Sequence, residues 1–302
     1  MGDITMADQN QTHIPAIPRD IIDLYDHFTH GGMDRRSFMS RLAALAGSTG
    51  AALALLPFLQ NDYAYAETVK PDDPRLMTEE GVAVEGGEKG LTGYLALPKA
   101  EGTRSAVLII HENRGLNPHI KDITRRVALE GYIAFGLDVL SPDGGTPQEE
   151  DKARDMFAKL TPEVATARAI AAVGFLAGYP PSNGKVAAMG FCWGGGIVNL
   201  VATSAPKLKA GISYYGPQPP ADRVANIKAA MLLHYAGLDQ RIDAGIPAYQ
   251  AALDAAKIRY ELYTYEGVDH AFNNDTNAAR YNKGAADIAW SRSMAFLKKE
   301  LG

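Results

Sequence analysis

Lys185-Val186-Ala187-Ala188-Met189-Gly190-Phe191-Cys192-Trp193-Gly194-Gly195-Gly196 is the stretch whose reading decides the fold. Lys185–Phe191 is a short apolar run, as expected of a strand buried on both faces. Gly194–Ser204 reads as a helix. Between them stands Cys192, the single cysteine of the chain. A sharp strand-to-helix turn forces strained angles on the residue at its apex, and small residues two before and two after let strand and helix pass closely. Gly190 and Gly194 occupy those positions. The apex also lies at a helix N-terminus, where the dipole favours a thiolate. A cysteine taken alone reads as a small core residue. Placed between strand and helix, with three glycines close behind, Cys192 reads as a nucleophile.

Such an apex calls for an acid and then a histidine, each in a loop after a later strand. Asp239 follows the apolar run Ala230–Ala236. His270 follows Tyr260–Tyr265, in Glu266-Gly267-Val268-Asp269-His270-Ala271-Phe272. Asp243 and Asp269 are the alternative acids, both read as solvated loop residues. His234 lies within a strand and reads as a core histidine, whereas His13 and His119 read as loop residues. The loop His111-Glu112-Asn113-Arg114-Gly115 follows another strand, where one half of an oxyanion hole belongs. The backbone N–H groups of Asn113 and Trp193 are its natural donors. Glu112 is placed to hold a thiol protonated, and the bland alternative pairs it with Arg114. His111 ends its strand beside this loop and is a candidate supporting residue.

Outward from these points, strands and helices alternate. Gly81–Glu85 and Leu91–Leu97 predict an antiparallel pair about a glycine-rich turn. Ser105–His111, Tyr132–Leu137, Lys209–Tyr215, Ala230–Ala236 and Tyr260–Tyr265 predict further strands. Ile120–Glu130, Pro162–Ala177, Pro247–Ala256 and Ala285–Leu301 predict helices. This alternation implies an α/β class with a mostly parallel central sheet and helices on both faces.

The composition narrows the function. The chain has 302 residues, 46% of them apolar, and a formal charge of −5. It has no basic stripe, so it offers no electrostatic platform for nucleic acid. One cysteine excludes an internal disulfide framework and a Cys-rich zinc site. No His, Asp or Glu cluster has ligand spacing, so neither a metal nor an organic cofactor is expected.

Residues 1–66 read differently and contain no Lys or Glu. Arg35-Arg36 precedes an uncharged stretch from Leu42 to Asn61, and Ala64-Tyr65-Ala66 gives a small-x-small site. This is the anatomy of a twin-arginine-type export signal, which implies a periplasmic or exported protein beginning at Glu67. The competing reading is a retained helical arm, with weakly amphipathic Ile21–Phe28, on a cytoplasmic protein. An anchor is a third reading, but Gly47-Ser48-Thr49-Gly50 and Pro57 make a poor membrane span. No stable span is expected in the mature chain. The expected domains are therefore an extension, 1–66, and a catalytic domain, 67–302.

His111-Glu112-Asn113-Arg114-Gly115, the Gly-Phe-Cys192-Trp-Gly-Gly turn, Tyr214-Tyr215-Gly216, Asp239 and Gly-Val-Asp-His270-Ala-Phe together resemble the dienelactone hydrolase (carboxymethylenebutenolidase-like) family. The likeness runs from about Gly81 to the C-terminus. It implies the α/β-hydrolase fold, a Cys192–His270–Asp239 triad, thiol control by Glu112 and a pocket lined by Tyr215. Arg114, Arg154 and Phe272 are further pocket candidates. The family's lactone hydrolases bind the substrate carboxylate with two arginines, one of them four residues beyond the histidine. Here that position is Asn274, and Ala271 replaces a hydroxyl residue. The expected activity is hydrolysis of small esters or lactones through a thioester acyl-enzyme. The alternatives are a thiol-dependent acyltransferase and a non-catalytic binding protein on the same scaffold.

Overall fold

The structure, a computed structural model, describes residues 17–65 and 67–302. Ala66 and His13 lie outside the described residues, and with them the third position of the small-x-small site. The described chain divides into two compact units. One holds the N-terminal segment to Asn61 together with Asn277–Ala279; the other holds Asp62–Thr276 and Arg280–Gly302.

The second unit is built on one eight-stranded sheet. In chain order its strands are β1 (Leu76–Ala83), β2 (Thr92–Pro98), β3 (Arg104–Ile110), β4 (Ile133–Asp138), β5 (Ser182–Phe191), β6 (Leu208–Tyr214), β7 (Ala230–Ala236) and β8 (Tyr260–Tyr265). Their order across the sheet is β1-β2-β4-β3-β5-β6-β7-β8. β1 and β2 run antiparallel to their neighbours, and every pairing from β4 to β8 is parallel. The sheet is thus mixed and mostly parallel, as the alternation of elements implies.

Period-two alternation sorts the side chains of each strand to two faces. In β3, Ala106, Leu108 and Ile110 enter one core and Val107 and Ile109 the other. In β5, Val186 and Ala188 separate in the same way from Ala187, Met189 and Phe191. Each wholly buried Leu or Ile contributes about 1.5–3 kcal/mol, so the two cores make β3 and β5 the rigid centre of the sheet. The ends of these two strands carry the candidate site.

The helices of this unit are α4 (Pro118–Leu129), α5 (Glu150–Phe157), α6 (Pro162–Gly178), α7 (Trp193–Ser204), the short α8 (Gln240–Asp243), α9 (Ile246–Ala255) and α10 (Lys283–Leu301). Four details differ from the sequence reading. β1 begins at Leu76, and Gly81 (φ 67°) sits inside it at a break in register between Glu79 and Val82. The bulge hid the first half of the strand. His119 is a buried helix residue, not a loop residue. Asn117 caps α4 through the Ile120 N–H at 3.1 Å and Pro118 opens it, so the helix starts two residues before Ile120. α5 went unread because only Ala153 and Phe157 of its eight residues are buried.

The N-terminal unit holds α1 (Arg19–Thr29), α2 (Arg35–Ala46) and α3 (Thr49–Leu59). Tyr25, Phe28 and Phe38 form its centre, and the last two rings stack at 4.3 Å. Arg35-Arg36 opens α2, which Asp34 caps through the Ser37 N–H at 2.8 Å. α2 stops at Gly47 (φ 83°), and Ser48 caps α3. The uncharged stretch is therefore two helices bent by 109°, and no single helix among the described residues is long and apolar enough to cross a membrane. Within this unit the Asn277 amide donates to Leu59 O at 2.7 Å. The boundary between units falls at Asn61–Asp62, before the expected Glu67.

Candidate active site

Cys192 stands between β5 and α7 with φ 54° and ψ −118°. This is a costly conformation for a side chain with a Cβ. Its N–H donates to Tyr214 O on β6 at 3.0 Å, which ties the apex to the sheet. The close approach explains the flanking glycines. A Cβ on Gly190 would lie 2.3 Å from Gly194 O, and one on Gly194 would lie 2.3 Å from His111 O. The thiol is 5% exposed and sits at the positive end of α7.

His270 lies in the loop after β8. Its Nδ1 is 2.5 Å from Asp239 Oδ2, both side chains being buried. A ring nitrogen of His270 lies within 4.8 Å of Cys192 Sγ. Asp239 follows β7 and caps α8, its Oδ1 accepting the Ile242 N–H at 3.3 Å. The carboxylate is thereby fixed by its own backbone surroundings. Asp243 ends α8; partial burial and the nearby Asp239 and Glu266 charges raise its carboxyl to about 6. Asp269 is half-buried in the turn before His270. The contact to His270 therefore singles out Asp239 among the three acids.

The loop after β3 lies against the turn between β5 and α7, the elbow. His111 is wholly buried, with Nδ1 2.7 Å from Glu112 O and Nε2 3.3 Å from the Val139 N–H. Nδ1 must donate and Nε2 accept, so the ring is the neutral Nδ1–H tautomer. Burial lowers its pKa in keeping with that. The Trp193 indole stacks on His111 at 5.7 Å, and Phe157 packs against both rings. His111 thus braces the loop that carries Asn113 and the helix start that carries Trp193.

Glu112 is buried. Its Oε2 accepts the Asn274 amide at 3.0 Å and its Oε1 the Tyr215 hydroxyl at 3.5 Å. Arg114 instead donates to Glu150 at 3.2 Å, so the bland Glu112–Arg114 pair is replaced by two separate contacts. The Tyr215 ring lies 5.0 Å from that of His270. Burial first, then the Glu112 and Cys192 charges, push its phenol well above the ordinary range, so it stays a neutral donor. Phe272 is wholly buried between Tyr215 and Tyr265 and supports the site from beneath. Arg154 pairs with Asp151 on α5 at 3.3 Å. Four non-glycine residues among those described have positive φ, and three of them are Cys192, Tyr215 and Ala271. Backbone strain is gathered at the site, as functional loops allow.

Sequence reasoning missed the roles of Asn274, Asn117 and Arg280. Asn117 was legible as the cap before Pro118. Asn274 looked like an absent cation, and its contact to Glu112 spans 162 residues. Arg280 is buried and its charge acts on the Tyr215 phenol; nothing local marks it.

Residues 91–301 match the dienelactone hydrolase family, and residues 10–47 match a second family described as YqhI-like. A carboxymethylenebutenolidase-like protein of Saccharolobus solfataricus is 35% identical over 249 residues, covering 69% of this chain and 94% of its own length. One from Escherichia coli O157:H7 is 30% identical over 245 residues, covering 76% and 89%. The crystal structure of a dienelactone-hydrolase-like protein from Klebsiella pneumoniae superposes with a TM-score of 0.66 at 27% identity, covering 74% of this chain and 99% of that one. The chain belongs to the dienelactone hydrolase family of α/β-hydrolases and is a carboxylic ester hydrolase.

Proposed function

We propose that the enzyme cleaves small esters or lactones through a thioester on Cys192. The observation that carries this reading is the Asp239–His270 contact at 2.5 Å beside a strained cysteine at a helix N-terminus. Cys192 passes its proton to His270, and the sulfur attacks the acyl carbon. The Asn113 and Trp193 amides take the charge that develops on the carbonyl oxygen. On collapse, the C–O bond breaks and the leaving oxygen takes the proton from His270. Water then gives a proton to His270 and attacks the thioester, which releases the acid and restores the thiol. Asp239 holds the imidazole tautomer and stabilises its charged form. A thiolate expels good leaving groups most readily, so enol lactones and aryl esters suit it better than amides.

Glu112 keeps the resting thiol neutral in this scheme. A carboxylate near a thiol opposes a second negative charge and raises the thiol pKa. Glu112→Gln should then make Cys192 react faster with iodoacetamide near neutral pH; coincident pH profiles would refute the control. Asn274 meets Glu112 where the family's lactone hydrolases carry a carboxylate-binding arginine, which favours neutral substrates over dienelactone carboxylates. The test is a panel of p-nitrophenyl esters and lactones, neutral and carboxylated, with wild type and Cys192→Ala side by side. Turnover of neutral esters that vanishes in the variant supports the reading. Turnover by Cys192→Ala would overturn it. Adding an alcohol acceptor separates hydrolysis from acyl transfer.

A further inference from the structure

Two hydrogen-bonded threads run from the segment Asp62–Tyr65 to the loop after β3. The Tyr63 hydroxyl donates to Glu150 Oε1 at 2.5 Å and accepts the Asn117 amide at 3.0 Å. Glu150 Oε2 in turn accepts Arg114 Nε at 3.2 Å. One phenol therefore contacts Asn117 directly and reaches Arg114 through Glu150, the first residue of α5. Next to it, the Asp62 N–H donates to Thr276 O at 2.7 Å. Thr276 donates its N–H and hydroxyl to Asn274 Oδ1 at 3.1 and 2.6 Å, and Asn274 donates to Glu112 at 3.0 Å. Both threads end on the loop that carries Glu112 and the Asn113 amide.

We infer that Asp62–Tyr65 is a retained strap of the catalytic unit and that Tyr63 is a positioning residue for the loop after β3. The inference rests on the functional reading above, since the loop matters through Asn113 and Glu112. On its other side the loop is held by the Leu116 N–H on Thr146 Oγ1 at 2.9 Å, and Thr146 is tied to Asp138 at 2.8 Å. Tyr63 supplies the opposing hold. Asn117 is 7% exposed, so water is a poor substitute partner for it, whereas Glu150, 22% exposed, keeps Arg114. Without the phenol, Glu150 and Asn117 each lose one partner, and the Asn117 amide and the Glu150–Arg114 pair are freer to re-orient. An oxyanion donor must be held to within a fraction of an ångström to act. Cutting after Ala66 would remove the phenol and the Asp62 N–H together. The strap therefore belongs to the active enzyme in whichever compartment it works.

The test uses the full chain with Tyr63→Phe, Glu150→Gln and the double variant, assayed on a p-nitrophenyl ester beside Cys192→Ala. Tyr63→Phe keeps the ring and removes only the hydroxyl. We expect kcat to fall roughly tenfold or more, with KM changed by less than about twofold and the melting temperature lowered by only the few degrees that a lost hydrogen bond costs, so that the variant stays folded at the assay temperature. Because the two side chains act as a pair, the double variant should lose little beyond the worse single variant. An unchanged kcat in Tyr63→Phe, a loss that tracks the melting temperature, or additive losses would each overturn the inference. Turnover by Cys192→Ala would instead remove the functional reading beneath it. Mass spectrometry of active enzyme from a host with twin-arginine export should find Asp62–Tyr65 attached; a fully active chain starting at Glu67 would overturn retention.

Discussion

His234 and His270 are both buried and both lie beside tyrosines, yet their surroundings give them opposite work. His234, inside β7, has hydroxyls on both nitrogens: Tyr265 at Nδ1 (3.0 Å) and Ser293 at Nε2 (3.1 Å). Burial, aided by the Arg292 charge, drives its pKa down to about 3, so it is a neutral core group. His270, in the loop after β8, has a carboxylate on Nδ1 and a thiol beside the ring. The carboxylate stabilises the imidazolium that the thiol's proton would create. Burial is common to both histidines; what differs is the partner, a carboxylate at His270 and two hydroxyls at His234.

Breaking the His270 side should have the largest effect. Cys192→Ala and His270→Ala should each reduce kcat by several orders of magnitude without unfolding, and the two losses should not add, because the groups act as a unit. Ester hydrolysis assays with circular dichroism on each variant check this. Asp239→Asn comes next, with a loss of roughly 10²–10⁴ in kcat through the wrong tautomer. The same exchange at Asp243 should leave kcat within about twofold, since Asp243 does not touch the ring. If Asp243→Asn is the damaging one, the acid has been misassigned.

On the His234 side the effect should appear in stability. His234→Phe leaves the Tyr265 and Ser293 hydroxyls short of a partner and should cost about 1–3 kcal/mol while activity persists. It should also change the acid response. A histidine whose folded pKa is depressed adds nothing above its unfolded value near 6.5. Below that the unfolded chain takes up a proton that the fold refuses. Stability should therefore fall from about pH 6.5 towards pH 3, by up to about 1.4 kcal/mol per pH unit for this one group. Urea melts across that range should show a shallower fall for the variant.

The smallest effect belongs to Asp243. Its folded pKa, about 6, lies above the unfolded value of 3.8, so the fold prefers its neutral form. The ionised side chain costs stability above pH 6, and the cost fades as pH drops towards 4. Asp243→Asn should raise the melting temperature slightly at pH 7.5 and not at pH 4. An equal gain at both would show that the charge is irrelevant.

The same contrast explains what was legible in the sequence. The elbow was legible because its constraint is local: strand, apex and glycines lie within a dozen residues, and Gly190 and Gly194 have no room for a side chain. Asp239 and His270 were legible because each directly follows its strand, β7 or β8. His234 was recognised as core from its place inside β7. The contacts that cross the chain were not legible. Asn274 on Glu112 and Tyr63 on Glu150 span 162 and 87 residues. No periodicity or turn signal records such distances. The charged helix α5 carries no apolar period to declare it, although Phe157 packs on Trp193 beside Cys192. Composition offers an export signal or a retained arm for the extension, and neither reading registers the hydrogen bond from the Asp62 N–H to Thr276 O.

The central claim is that Cys192 carries the acyl group. Mixing the enzyme with a slowly deacylated p-nitrophenyl ester, quenching in acid and measuring intact and peptide masses tests it most directly. Acylation of Cys192 leaves one acyl group per chain, on the peptide containing Cys192, labile to hydroxylamine at neutral pH and absent from Cys192→Ala. Ester turnover with the acyl group on another residue, or undiminished turnover in Cys192→Ala, would contradict it.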